Sequence, residues 1–552
     1  MRLSTLFALA SLGALSAAHA DTVIDRANGY TLNSKGELVH FVSLAFDDKG
    51  KIIALGGAPE VAAKAPKARH IDMQGKTVLP GLIDAHGHVF SLGDMLTQLD
   101  LSGTTSLADA LKAAAAYARA NPSQAWLRGR GWNQEIWKLG RFPTAAELDG
   151  AVADRPMWLA RVDGHAGWAN SRALQLAGIT KSTPDPAGGK IMRDASGNAT
   201  GVLVDAAKDL VEKVLPKQGE AEARIALDRS LAEIARVGLT SVHDAGIEVG
   251  NDALFRDYAD HGKLTARIYA MIGGTERDFD QLSKKGPLKS YADDMYALRA
   301  VKLYSDGALG SRGAAMLEPY SDEKTSHGLL FHTDADLRAM MQKAMKKGYQ
   351  VNVHAIGDAG NHQVLEGFEQ LVPKTATSGL RHRIEHAQVV ALADIPRFRD
   401  IGIIPSMQPT HATSDMNMAE QRVGAERIKG AYAWRTFLKQ GSHIACGSDF
   451  PVEAPNPFYG IHAAVTRQDA KNQPAAGWHA DQAMNVREAF RCFTLDAAYA
   501  AHQENVVGSL EAGKWADFIV VDRDLFTIPA SDIRKTVVLQ TWVAGRQVYP
   551  KK

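Results

Sequence analysis

Cysteine is almost absent. The 552 residues contain two, Cys446 and Cys492, too few for a disulfide scaffold or a cysteine-rich zinc module. Cys446 falls within a buried-strand pattern, so two free buried thiols are the default reading, with pairing in an oxidising compartment as the alternative. An excess of one charge is missing too. Lys plus Arg number 63 against 62 for Asp plus Glu, which gives no support for nucleic acid or an anionic membrane surface as the main partner. Gly-x-Ser-x-Gly does not occur, which lowers any serine hydrolase reading. Gly307-Ala-Leu-Gly310 and Gly357-Asp-Ala-Gly360 lack both the Gly-Lys-Ser/Thr ending of a phosphate loop and the Rossmann spacing. Repeats of fixed period are lacking, and no stretch beyond residue 20 approaches the ~20 apolar residues of a membrane-spanning helix. With 45% hydrophobic and 23% charged residues, the composition excludes a disordered, collagen-like or coiled-coil chain.

The first twenty residues, MRLSTLFALASLGALSAAHA, have a leading Arg2, an apolar run and a small-x-small ending at Ala18-His19-Ala20. They read as a secretory signal peptide over residues 1–20. The expectation is a secreted or periplasmic protein that is soluble, with no membrane contact after cleavage.

Short strand-like runs separated by Gly, Asn and Asp turns follow the signal, and similar runs close the chain. The two ends are expected to form one β-sandwich from residues 21–75 and 505–552. Between them, over 76–504, apolar strand candidates alternate with helical patterns such as Ala335–Lys347. Eight strand candidates end near His86, Asp244, Ile272, Lys302, His354, His386, Gln408 and Asp449. That rhythm predicts an α/β fold, a (β/α)8 TIM-type barrel. Residues 99–231 break the rhythm and read as an inserted α/β subdomain. Its tryptophans, Trp126, Trp132, Trp137, Trp158 and Trp168, are expected to form its core, with an aromatic substrate pocket as the alternative.

The sharpest local feature is the apolar run Thr77-Val-Leu-Pro-Gly-Leu-Ile-Asp-Ala-His86-Gly-His88. In a strand, residues i and i+2 share a face, so both imidazoles reach toward one point. The pair alone is weak, because 19 histidines in 552 residues supply about two-thirds of one such pair by chance. Its placement matters more. His354, His386, Asp449 and Lys302 also stand at strand ends, and these converge on the carboxyl rim of one barrel, where active sites of that fold lie. Singly, each is a core histidine or a helix cap. Together, four imidazoles and a carboxylate form a metal site, since a cation removes the repulsion they would suffer if protonated. Lys302 is awkward there, because an ammonium opposes a divalent cation. Either it lies off the metal or its amine has been converted to an anionic group.

These segments resemble the metal-dependent amidohydrolase superfamily, and within it the YtcJ-like branch. The matching motifs are Gly81-Leu-Ile-Asp-Ala-His-Gly-His88, Val301-Lys-Leu-Tyr-Ser-Asp-Gly-Ala308, Val353-His-Ala-Ile-Gly-Asp358, Arg383-Ile-Glu-His-Ala-Gln388 and Gly447-Ser-Asp-Phe-Pro-Val-Glu453. Asp163-Gly-His-Ala-Gly-Trp-Ala-Asn-Ser171 and Gly508-Ser-Leu-Glu-Ala-Gly-Lys-Trp-Ala-Asp517 are also similar. The resemblance implies two divalent metal ions, with His86, His88 and Asp449 on one and His354 and His386 on the other. It implies a bridging Lys302 carboxylated by carbon dioxide, and a homodimer. Zinc is the expected metal, and the donors leave one metal, manganese, iron or cobalt open. The implied activity is hydrolysis of small-molecule amide-type C–N bonds (N-acyl or N-formyl amines, cyclic amides or ureas) by metal-activated hydroxide, with Asp449 as the catalytic proton carrier. A lactone or ester hydrolase and a non-catalytic exported binding protein are the rivals. Four further residues are substrate-binding candidates. His165 reaches over the barrel mouth or holds the insertion in place. Asp306 and Arg312 bind substrate, against a default of loop structure. His411 follows the seventh strand end, where substrate contacts are expected.

Overall fold

The apolar run that leads into His86 and His88 is two strands rather than one. The computed structural model describes residues 21–551 apart from 135, 162–165, 187–188, 217–218 and 373–378, and gives only the backbone of residue 205. In it, Thr77–Pro80 pairs antiparallel with Phe518–Val521, while Leu82–Gly87 joins another sheet. Gly81 sits at the crossing, where a Cβ would meet Thr240 Oγ1 at 2.0 Å. Only glycine leaves room for the Thr240 side chain at this crossing.

The barrel is built from eight parallel strands: β1 (Leu82–Gly87), β2 (Leu239–Ile247), β3 (Arg267–Gly273), β4 (Tyr296–Tyr304), β5 (Gln350–Ala355), β6 (Arg383–His386), β7 (Ile404–Met407) and β8 (Ala445–Cys446). Each pairs with the next in chain order. A parallel bridge between Gly87 and Phe450 brings the last strand back to the first. The expected (β/α)8 barrel is therefore present, with its strand ends within three residues of the expected positions. The strands are nearly continuous apolar runs because both faces are buried. In β3, Ile268, Ala270 and Ile272 belong to the core shared with the helices, while Tyr269 and Met271 cluster with Ala245, Ala297 and Ala300 of the neighbouring strands. The helix Asp334–Lys346 shows the matching period: Leu337, Met341 and Ala344 are its buried residues, and Thr333 caps its start by accepting from Asp336 N.

The two chain ends form a sandwich. One sheet runs Arg546–Tyr549, Val538–Val543, Phe518–Val521, Thr77–Pro80, Asn28–Leu32, Leu38–Phe41, and the other runs Ile52–Gly56, Ser43–Phe46, Thr22–Asp25, Arg69–Asp72. Ile24, Phe41, Phe46, Phe518 and Trp542 share its core. The sandwich is fastened to the barrel by a buried ion pair, Arg267 Nε to Asp517 Oδ2 at 2.6 Å and Arg267 Nη2 to Asp517 Oδ1 at 3.0 Å.

The insertion carries its own six-stranded sheet, from Leu99–Asp100 to Gly189–Arg193. Trp132, Trp137 and Trp168 pack into one of its cores, Trp158 into a second, and half-buried Trp126 against that second core, so all five tryptophans hold the subdomain together. Its expected end at residue 231 is corrected. The helix Glu220–Arg236 buries Leu227, Leu231 and Ile234 in the barrel's own core. The thiol reading is corrected as well: Cys446 and Cys492 are joined by a disulfide. The helix Val486–Cys492 brings the two Cα atoms to 5.2 Å, inside the range a disulfide spans. No described helix is long and apolar enough to cross a membrane.

Candidate metal centre

His86 ends β1 with no exposed surface. Its Nδ1 lies 2.6 Å from Glu385 Oε2, and a carboxylate at that distance holds the proton on Nδ1. The Nε2 lone pair is then left facing the barrel axis. His386 is oriented in the same way by Gln408 Oε1, 2.8 Å from its Nδ1. The His86 and His386 rings lie 4.8 Å apart, and His386 and His354 4.5 Å apart. Asp449 Oδ1 sits 3.1 Å from His88 Nε2 and 3.6 Å from His86 Nε2. One donor atom each from His86, His386 and Asp449 falls within 4.8 Å of the others. Lys302 Nζ completes the group at 3.1 Å from His86 Nε2. All six residues singled out at the strand ends thus converge.

The backbone is bent to achieve this. His386 has φ +74° and Asp449 φ +59°, a left-handed conformation uncommon outside glycine. Strand alternation would send Glu385 and His386 to opposite faces. The turn at His386 lets both reach the site. Asp84 ties β1 to the turn bearing Asp449, accepting from His86 N at 3.0 Å, Ser448 N at 3.1 Å and Ser448 Oγ at 2.6 Å. Gly447 is required there, since a Cβ would meet His86 N at 2.5 Å.

Burial sets the charge states. Burial first, and then the Lys302 ammonium, hold His86 well below the usual imidazole range and push His354 down to about 3. Burial and the His354 and His86 rings do the same to His386. Burial alone would raise Asp449, but the His88 hydrogen bond and the surrounding imidazoles hold it well below the usual carboxylate range. Neutral imidazoles beside an ionised carboxylate are a donor set for a divalent cation. His411 Nε2, buried and without a hydrogen-bond partner, lies 3.7 Å from Asp449 Oδ2. The residues fit a metal. The Lys302 ammonium does not, because it points at the very lone pair a cation would use.

The site floors a cavity of about 840 Å³, lined among others by His88, Lys302, His354, His386, His411 and Asp449. Of the four substrate-contact candidates, His411 lines it. Asp306 does not: its buried carboxylate accepts from Ala315 N, Ile356 N and Gly357 N at 2.8–2.9 Å. Asp306 therefore shapes the two loops that follow β4 and β5. Arg312 is held instead by Asp322, Nη2 to Oδ2 at 3.0 Å. His165 lies outside the described residues. Glu385, Gln408 and Asp84 were not singled out from sequence. The only signal was their position in the strand-end motifs, one or two residues from a histidine or at the end of β7.

A profile described as the amidohydrolase family matches residues 69–549. The chain is 33% identical over 531 residues to the putative amidohydrolase YtcJ of Bacillus subtilis, covering 95% of this chain and 98% of that protein. It is 29% identical over 538 residues to the N-substituted formamide deformylase of Arthrobacter pascens, covering 95% and 97%. Among solved structures, an uncharacterized metal-dependent hydrolase from Pyrococcus horikoshii superposes with a TM-score of 0.78 at 26% identity, over 93% of this chain and 99% of that one.

Proposed function

The chain belongs to the amidohydrolase family, and we propose that it is an exported enzyme that hydrolyses amide-type C–N bonds of small molecules, N-formyl or N-acyl amines first among them. Metal-dependent hydrolysis of C–N bonds other than peptide bonds is the family's activity. The observation that carries the reading is the convergence of neutral His86, His354 and His386 with ionised Asp449 at the floor of a cavity open to solvent.

When bound, divalent metal supplies Lewis acidity, lowering the pKa of water and polarising a carbonyl oxygen. His86, His88 and Asp449 would hold one ion, and His354 and His386 a second, with zinc the metal we expect from these donors. Lys302, if carboxylated on its amine, would offer anionic oxygens to the metal in place of the ammonium that now faces His86 Nε2. Glu385 and Gln408 orient the two rings. Asp449 accepts a proton from the attacking water at a carboxylate oxygen and delivers it to the leaving nitrogen. His411, which lines the cavity, is the side chain to which we assign a substrate contact. Export is supported by the signal-like first twenty residues and by the Cys446–Cys492 disulfide, a bond that persists in oxidising compartments.

The test is metal content per chain of the mature protein, measured without added metal or chelator, followed by a panel of formamides, acetamides, cyclic amides and lactones. The expected result is about two equivalents of zinc, falling on Lys302→Ala, with turnover of the amides. Turnover of lactones alone would establish the ester reading. A protein that binds no metal on titration would be a binding protein rather than a hydrolase.

A further inference from the structure

The wall of the cavity beyond His411 carries charge of one sign. Asp415 and Glu453 line it together with Leu309, Ile356 and Val452. Among the described lining residues Lys302 is the one lysine or arginine. It lies at the floor, 1% exposed, where the carbamate reading makes it an anion.

Asp415 is held in a defined pose. Its Oδ2 accepts from Tyr432 Oη at 2.7 Å and from Gln388 Nε2, and Gln388 Nε2 also donates to Tyr432 Oη at 2.6 Å. Both donors sit on the same carboxylate oxygen. Oδ1 has no hydrogen-bond partner among the described residues, although Asp415 faces the cavity. Burial pushes this carboxyl above its ordinary range, a cost that a cation docked on Oδ1 would offset. The next residue back, Ser414, donates to Glu453 Oε1 at 2.5 Å, which ties a second carboxylate of the same cavity wall to this helix. His411 and Asp415 lie one turn apart on the helix Pro409–Asp415, about 6 Å along its axis. His411 Nε2 is 3.7 Å from Asp449. A substrate with its scissile bond at Asp449 therefore reaches Asp415 across a short chain, against Leu309, Ile356 and Val452.

We propose that Asp415 is the specificity-determining residue of this cavity, selecting amides that carry a protonated amine or similar cation a few methylenes from the scissile bond and rejecting those that carry a carboxylate there. The proposal rests on the hydrolase reading above, and it names the substrate class within that reading.

The experiment separates binding from turnover. Three probes that cannot be hydrolysed are titrated into the metal-replete protein by calorimetry. They are N-(4-aminobutyl)methanesulfonamide, neutral N-pentylmethanesulfonamide and 5-(methanesulfonamido)pentanoate. The cation is expected to bind about tenfold to a hundredfold tighter than the neutral probe, as one charge-assisted hydrogen bond predicts, and the anion weakest. In Asp415→Asn, where the amide can still accept from Tyr432 and Gln388, the cation-to-neutral ratio should fall to about threefold or less. Glu453→Gln, nearer the rim, should reduce the ratio less. Equal binding of cation and neutral probe by the wild type, tighter binding of the anion, or no binding of any probe would each overturn the proposal, whether or not the variants fold. An unchanged ratio in folded Asp415→Asn would do the same. Turnover of the matching formamides reports on the hydrolase reading alone. Selective cation binding with no amide cleaved would leave Asp415 correct and the reaction class wrong.

Discussion

Glu385 should control metal affinity without touching metal. Its Oε2 lies 2.6 Å from His86 Nδ1, and neither side chain has exposed surface. Glu385→Gln keeps an acceptor of the same shape at that position but removes the charge. A hydrogen bond to a charged group contributes roughly 1.5–3 kcal/mol against 0.5–1.5 for a neutral pair. The difference, about 1–1.5 kcal/mol, corresponds to about tenfold in affinity. Glu385→Ala loses the acceptor altogether and frees the ring to turn, for a loss nearer 100-fold. One complication must be separated out. Glu385 Oε1 lies 3.9 Å from Arg383 Nη1, so removing the carboxylate also takes a countercharge from a buried guanidinium. Arg383 keeps Ala500 O at 2.6 Å and His243 Nδ1 at 3.0 Å, and the thermal midpoint of the metal-free variant measures what is lost there. The assay is zinc titration of metal-free protein against a competing chelator. A Glu385→Gln dissociation constant within twofold of wild type, in a protein where His86→Ala abolishes binding at the same site, would refute the orienting role.

Three further outcomes follow from the scaffold. Asp517→Ala strands the fully buried Arg267 without its carboxylate; a loss of about 3–5 kcal/mol is expected in chemical denaturation, and a loss under about 1 kcal/mol would mean the pair does not couple sandwich to barrel. His382, 1% exposed and accepting from Val351 N at 2.9 Å, is pushed down to about 3 by burial and then by His502. Its unfolded value is near 6.5, so between pH 6.5 and 3 the unfolded chain binds the extra proton and stability falls as pH falls, by about 2 kcal/mol at pH 5. His382→Asn keeps an acceptor without titrating, and its denaturation midpoint should therefore drop less than wild type between pH 7 and 5; parallel curves would show that His382 is not buried as a neutral ring. Replacing Cys446 and Cys492 by alanine opens a loop of 46 residues, for which chain entropy gives about 4 kcal/mol; unchanged denaturation midpoints with and without reductant would show that the thiols are not joined in solution.

What was legible in the sequence was the part governed by local pattern. Barrel strands are long apolar runs because both faces are covered, and their carboxyl ends are marked by the first polar residues after the run. That is why the sequence alone assigns His86, Lys302, His354, His386 and Asp449 to one rim. Where two elements meet, local pattern fails. Thr77–Pro80 and Leu82–Gly87 read as one strand because the change of sheet at Gly81 is enforced by Thr240, more than 150 residues away. Helix Glu220–Arg236 has the same amphipathic period in an insertion or in a barrel layer, and only its packing on the strand side decides. Cys446 was expected to be a free buried thiol because a strand interior hides it. The same burial presses it against Cys492 on the covering helix.

The residues missed at the site share one physical cause. A ligand histidine announces itself by chemistry, whereas the group that orients it is recognised only across the barrel: Glu385 reaches His86 from a strand 299 residues away in sequence, and Gln408 reaches His386 from the next strand. Strand alternation alone sends Glu385 and His386 to opposite faces, and the left-handed turn at His386 is what brings both in. Such a turn costs of order 1–3 kcal/mol, and it persists here because neighbouring strands and the Glu385 and Gln408 hydrogen bonds over-determine it. Asp415 belongs to the same class of hidden residue. On the helix Pro409–Asp415 it reads as an ordinary polar position near a C-terminus. Its meaning appears only when Tyr432 and Gln388 are seen to hold one oxygen and leave the other facing the cavity. Chemistry at a barrel rim is thus written locally, and its selectivity is written in contacts between distant segments.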